Sequence, residues 1–147
     1  MAWMEKVIGN DDSDIAVRTK AACMAGLPDP ENKAKVWAEL TDPTSTLSLY
    51  VRTAKMSGFY SPDQLDLIKP YFQKYFEILP TLSQQTTFKY VSTFFHQMLP
   101  TTVIEDSYIV KLVALKNDAP DTAKNFRTMI DEGIDVLIRT MQIREFA

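Results

Sequence analysis

A single histidine and a single cysteine hold most of the potential for nucleophilic or acid–base chemistry in this 147-residue chain. His96 lies in His96-Gln97-Met98-Leu99, which is not the HExxH pattern of a helical zinc site. With one histidine, a zinc centre with two histidine ligands cannot be assembled from these residues. Its expected place is the flank of a packed helix face rather than that of a ligand or general base. Cys23 can form no internal disulfide, zinc knuckle or redox pair. As a nucleophile it would need His96 as its base, and nothing near it in the sequence acidifies the thiol, so a structural cysteine is expected.

The carboxylates invite a metal reading that their positions argue against. Asp11, Asp12 and Asp14 precede an Ile15-Ala16-Val17 run, where acids favour a helix N-terminus. Asp131, Glu132 and Asp135 share a segment with Arg127 and Arg139 and read as a solvated helix face. The four glycines, Gly9, Gly26, Gly58 and Gly133, are too dispersed for a phosphate-binding loop. No catalytic, cofactor-binding or metal-ligating residue is therefore assigned.

Composition bounds the classes that remain. A hydrophobic content of 46% is enough for one all-helical domain over residues 1–147 or a short array of stacked helices. No apolar run approaches the roughly 18 residues that span a bilayer, and Met1 to Asn10 lacks the apolar core of a signal peptide. A soluble, cytoplasmic protein without a membrane partner is expected. The net charge of −3 disfavours nucleic acid, since phosphate binding requires clustered Lys and Arg. Residues 46–100 are mildly basic and hold most of the aromatic residues, but these rings recur at helical spacing and belong to buried faces.

The punctuation that would position these residues is regular. Asp29 and Pro30 predict a helix start, followed by Val36, Trp37 and Leu40 on one face and a break at Asp42-Pro43. Ser45 or Thr46 is placed to cap a segment with Leu47, Tyr50, Val51 and Ala54 on one side and Gly58 as its stop. Ser61 and Gln64 form a capping-box pattern ahead of Leu65, Ile68, Phe72, Phe76 and Leu79. Pro70 predicts a kink or break near Ile68 to Lys69, and Pro80 predicts the helix end.

From Ser83 a third helix would carry Phe88, Val91, Phe95 and Leu99. Thr102 and Glu105 make a second capping box, ahead of Ile104, Tyr108, Leu112 and Leu115. After a turn at Asp118 to Asp121, helical spacing runs through Phe126, Met129, Ile130, Gly133, Ile134, Leu137 and Met141, with Gly133 a point where the segment could divide. No alternating pattern or hairpin turn is present, so the class is all-α. Breaks near 29, 61, 102 and 120 suggest antiparallel hairpins of about 40 residues, stacked as in HEAT or armadillo arrays, with a compact bundle as the alternative.

The wording itself is also informative. Pro30-Glu31-Asn32-Lys33-Ala34 with Val36-Trp37, followed by Leu47-Ser48-Leu49-Tyr50, resembles a "pro-x-x-lys-ala-x-x-trp" helix and Leu-Ser element of the aminopeptidase N family. Gly58-Phe59-Tyr60, Gln64-Leu65, Pro70-Tyr71-Phe72, Tyr75-Phe76 and Leu79-Pro80 are similar to that family's "gly-phe-trp … gln … leu … pro-tyr … arg-tyr-phe … leu" run, with Tyr60 for tryptophan and Lys74 for arginine. Glu132-Gly133 and Asp135 to Arg139 resemble its "glu-gly-x-asp-x-x-x-arg" helix. The likeness runs from about residue 10 to the end, and it is to the C-terminal helical domain of these zinc metallopeptidases, which include the puromycin-sensitive aminopeptidases.

The resemblance implies a part of an enzyme. In that family a thermolysin-like domain supplies HExxH, a distant glutamate ligand and a GxMEN-type motif, none of which occurs here, so zinc belongs to the parent's catalytic domain and this chain is expected to be inactive alone. The C-terminal domain closes a substrate chamber, and the implied partners are the parent's catalytic domain and the enclosed peptide. Two other readings stand beside it: a free-standing helical scaffold that binds a protein or peptide, and a thiol hydrolase using Cys23 and His96.

Overall fold

A computed structural model describes residues 14–102 and 104–146. Among these residues there are seven α-helices, one short 3-10 turn and no strand, so the chain is all-α. The helices are α1 (Asp14–Ala25), α2 (Pro30–Thr41), α3 (Leu49–Phe59), α4 (Leu65–Gln85), α5 (Phe88–Met98), α6 (Asp106–Asp118) and α7 (Lys124–Phe146). None is long and apolar enough to cross a membrane. The chain divides into two compact units at Pro70, so the first turns of α4 belong to one unit and its remainder to the other.

In the first unit, α1 offers a face of small residues. Ala16, Ala21 and Ala25 are buried, whereas the larger Ile15 and Val17 are exposed. The described part of α1 starts at Asp14, while Asp11 and Asp12 of the expected acidic helix start lie outside the described residues. The alanine face lets α3 approach closely, and Gly58 is the point of closest approach: a Cβ there would lie 2.8 Å from the Ala22 carbonyl carbon. Gly58 is therefore a packing residue inside α3, not its stop, and the helix ends one residue later at Phe59 with Tyr60 as C-cap.

The start of α3 also differs from expectation. Ser48, rather than Ser45 or Thr46, is the N-cap and accepts from the Val51 N–H at 3.2 Å. The register moves accordingly: Met56 and Phe59 are buried and Tyr50 is exposed, beneath the Arg18 guanidinium at 5.7 Å. The α2 start agrees with expectation, since Asp29 accepts from the Glu31 N–H at 3.2 Å and Pro30 opens the helix. Val36 and Leu40 are buried, and Trp37 lies half-buried with its ring 5.9 Å from that of Phe59.

Helix α4 runs through both prolines without a break and ends at Gln85. Each proline removes a donor to the carbonyl four residues back, at a cost of about 3 kcal/mol. Burial of Ile68, Phe72, Tyr75, Phe76, Leu79 and Leu82 along one stripe outweighs that cost, at about 1.5–3 kcal/mol for each large apolar side chain. Pro70 thus marks the division between units rather than the end of a helix. Ser83 lies within α4, and α5 starts later, with Thr87 accepting from the Tyr90 N–H at 3.3 Å.

The second unit is packed around aromatic rings. Tyr75 is fully buried, donates its hydroxyl to the Phe95 carbonyl at 2.8 Å and stacks on Phe94 at 5.8 Å. Phe76 meets Tyr108 of α6 with centroids 5.1 Å apart. The expected Thr102–Glu105 capping box is absent: α6 begins at Asp106, the N-cap Glu105 accepts from the Ser107 hydroxyl at 3.3 Å rather than from a backbone N–H, and Ile104 precedes the helix. Buried Tyr108 and Leu112 retain the expected face. Helix α7 is continuous through Gly133, whose Cβ position would fall 2.6 Å from Phe95 Cε1, so this glycine admits the α5 ring instead of dividing the helix.

In urea melts, Gly58→Ala is expected to lose about 1–3 kcal/mol through overpacking against Ala22, although alanine is about 1 kcal/mol better than glycine in a helix. An unchanged midpoint would show that α1 and α3 do not approach at this position.

Candidate functional site

The most unusual side chain is Lys33, the one charged residue that is fully buried among those described. It lies on the first turns of α2, placed there by the Asp29–Pro30 cap. Its Nζ donates to the carbonyl of Ala25 at 2.8 Å and to that of Phe59 at 2.6 Å, the last residues of α1 and α3. The last carbonyls of a helix lack intrahelical donors and carry its negative partial charge, so one ammonium group satisfies two helix ends at once. The ammonium also sits 4.8 Å from the centroid of the Phe59 ring.

Neighbouring carbonyls are met in the same way. Asn32 Nδ2 donates to the Met24 carbonyl at 2.7 Å, and Gln64 Nε2 donates to the Gly26 carbonyl at 2.7 Å. Met24, Ala25 and Gly26 thus each receive a side-chain donor. The Ser61–Gln64 capping box does not form, because Gln64 is used on the Gly26 carbonyl just after α1 and Ser61 bonds the Asp63 carboxylate. Burial holds the Lys33 pKa down at about 8 from 10.5, and the Asp63 charge opposes that shift. The Ser61 hydroxyl holds the Asp63 carboxyl below its usual range, with the local backbone and Lys33 adding to the effect.

The residues singled out for chemistry are placed apart from this node or in ordinary surroundings. Cys23 is a half-buried free thiol in the first unit, and His96 belongs to the second. His96 is exposed, lies 3.4 Å from the Glu132 carboxylate and meets the Phe95 ring edge-on. Asp131, Glu132 and Asp135 of α7 serve three different partners: Asp131 pairs with Lys116 at 2.7 Å, Glu132 with His96 and Asp135 with Arg139 at 2.9 Å. Among the described residues no group of three His, Cys, Asp or Glu side chains is arranged to hold a metal ion. The His96–Glu132 pair offers two donors on an exposed face, which does not fit a zinc centre of four ligands.

Arg127 has a role that spacing did not reveal. Its Nη1 donates to the carbonyls of Lys116 and Ala119 at 3.1 and 3.3 Å, at the C-terminal end of α6. It also lies 3.9 Å from Asp121. A cation turned onto a helix end is invisible to a reading that pairs charges along one helix. Only the position of Lys33, three residues past a Pro-led helix start, could have drawn notice, and a lysine there normally faces water.

No family model matches the chain, and no curated protein matches it.

Replacing Lys33 with methionine leaves two buried carbonyls without that donor and is expected to cost about 2–4 kcal/mol, read from urea midpoints by circular dichroism. The pH dependence has a defined sign. A lysine whose folded pKa is near 8 and whose unfolded value is 10.5 makes the unfolded state bind more protons between those limits, so stability rises with pH there, by a total on the order of 3 kcal/mol. Burial raises the phenols of Tyr71 and Tyr108, so these oppose the rise above pH 10. The increase should be visible from pH 8 to 10 in the wild-type chain and absent in Lys33→Met.

Proposed function

We propose that this chain is the C-terminal helical cap of a zinc-dependent aminopeptidase, a non-catalytic module that docks on the parent's catalytic domain and encloses the peptide-substrate chamber. The observation that carries the reading is where the family-like residues meet. Lys33 and Trp37 are distant in sequence from Gly58, Phe59 and Gln64, yet the two groups meet at the junction of α1, α2 and α3. Lys33 bonds the Phe59 carbonyl, Trp37 contacts the Phe59 ring, Gly58 lies against Ala22, and Gln64 bonds the Gly26 carbonyl.

A signature shared by a family of non-catalytic domains should fall on positions that build the fold, and these do. In the second unit Tyr75, Phe76 and Leu79 are buried, and Gly133 admits the Phe95 ring. Zinc and its chemistry belong to the parent's catalytic domain, and no step of peptide hydrolysis is assigned to a residue of this chain. The module contributes shape: rigid helical walls whose ends are locked by buried donors, suited to limiting which peptides reach a neighbouring active site.

An antibody against this chain, used on an extract of its source cells, is expected to detect a polypeptide several-fold larger than 16.8 kDa. The purified chain should cleave no aminoacyl-p-nitroanilide with or without added zinc. A band at 16.8 kDa would favour an independent helical scaffold, and zinc-dependent cleavage by the pure chain would overturn the proposal.

A further inference from the structure

We propose that the second unit carries a peptide-binding cleft that takes an apolar side chain adjoined by a lysine or arginine. The inference rests on α4 to α7 alone and stands whether or not the aminopeptidase reading is correct.

Helices α4 and α6 are held together at one level and leave space beyond it. The holding contacts are the Phe76 and Tyr108 rings, 5.1 Å apart, and Lys111 Nζ, which donates to Gln73 Oε1 at 3.3 Å and lies 5.5 Å from the Phe76 centroid. Toward their C-terminal ends a cleft opens between the two helices. Its narrow part, beside Phe76 and Leu115, has a volume of about 240 Å³. The wider part reaches about 460 Å³ and shares Leu115 and Asp118 with the first.

The lining of the wider part is suited to an apolar group. Pro80, Leu115 and Pro120 contribute walls, and Phe88 and Phe126 come from the first turns of α5 and α7. Phe88 was expected to be a core residue from its spacing, yet 46% of it remains exposed. An aromatic side chain left open on a concave surface retains apolar area that a ligand can cover. The volume lies within the roughly 300–1,000 Å³ usual for ligand sites.

Charge selects the rest of the ligand. Among the described residues Asp118 is the only charged side chain on the wider part, and it is the last residue of α6. Among the described residues the narrower part adds Glu77 and Lys111, whose opposite charges offset each other and leave Asp118 to set the balance. Arg127 is turned onto the α6 carbonyls and Asp121 and does not line the cleft, so Asp118 is the charge that a ligand there meets directly. Such a site repels phosphate and carboxylate and favours a cation beside the apolar group. A peptide with adjacent apolar and basic side chains meets both requirements.

The test uses the full 147-residue chain and fluorescein-labelled, amidated hexapeptides in fluorescence polarisation. The probe has phenylalanine and lysine at its centre and alanine elsewhere. It should bind with a Kd on the order of 10–100 µM at low salt. Replacing its phenylalanine with alanine, or its lysine with glutamate, should each weaken binding about tenfold. Asp118→Lys, at an exposed position, should reverse the preference toward the glutamate peptide. Ala123→Phe should fill the cleft and abolish binding while the thermal midpoint stays unchanged.

Equal binding of the lysine and glutamate peptides would overturn the proposal. So would binding that survives both Asp118→Lys and Ala123→Phe. Self-association of the chain that Ala123→Phe disrupts would assign the cleft to a second copy instead.

Discussion

A helix that ends inside a fold must find donors for its last carbonyls, and the first unit is organised around that requirement. Helices α1 and α3 end at Ala25 and Phe59, and a single ammonium group, that of Lys33, reaches both carbonyls. Backbone turns such as a Schellman motif satisfy such groups locally, using the residues that follow the helix. Here the donor to the Ala25 and Phe59 carbonyls comes from elsewhere in the chain, so these two helix ends depend on α2 being in place. Capping and tertiary assembly thereby become one event, and two hydrogen bonds and an aromatic face offset only part of the cost of burying the charge, which is why the Lys33 pKa stays lowered. The second unit repeats the device in weaker form, with Arg127 on the end of α6 and Arg144 on the Thr101 carbonyl.

Close approach follows from the same arrangement. For Lys33 to reach two helix ends, those ends must lie near each other, and the alanine face of α1 against Gly58 of α3 brings them together. Larger residues on α1 point outward, which is why Ile15 and Val17 are exposed. In the second unit, bulk replaces proximity: Tyr75, Phe94, Phe95 and Phe76 fill the interior, and Gly133 supplies the one gap that the Phe95 ring needs.

The all-α class, the α2 start at Asp29-Pro30 and the buried stripes of α4 and α7 were legible because each rests on local chemistry: a cap, a fixed φ or a 3.6-residue period. The errors share a cause of the opposite kind. Gly58 and Gly133 were read as a stop and a possible division, whereas their roles depend on Ala22 and Phe95, residues distant in sequence. Gln64 had the right spacing for a capping box, but the Gly26 carbonyl claimed its amide. Pro70 and Pro80 are strong breakers only when the apolar face around them is weak, and in α4 it is not. Lys33 was illegible as chemistry, because no local rule places a lysine inside a core.

Complete enclosure of Lys33 has a further consequence for the way the chain reports on itself. Reagents that acylate amines can reach this nitrogen only when α2 separates from the ends of α1 and α3, so its labelling rate follows the opening equilibrium of the first unit rather than surface access. The modification site would become a clock for local unfolding, built into the chain without any added dye.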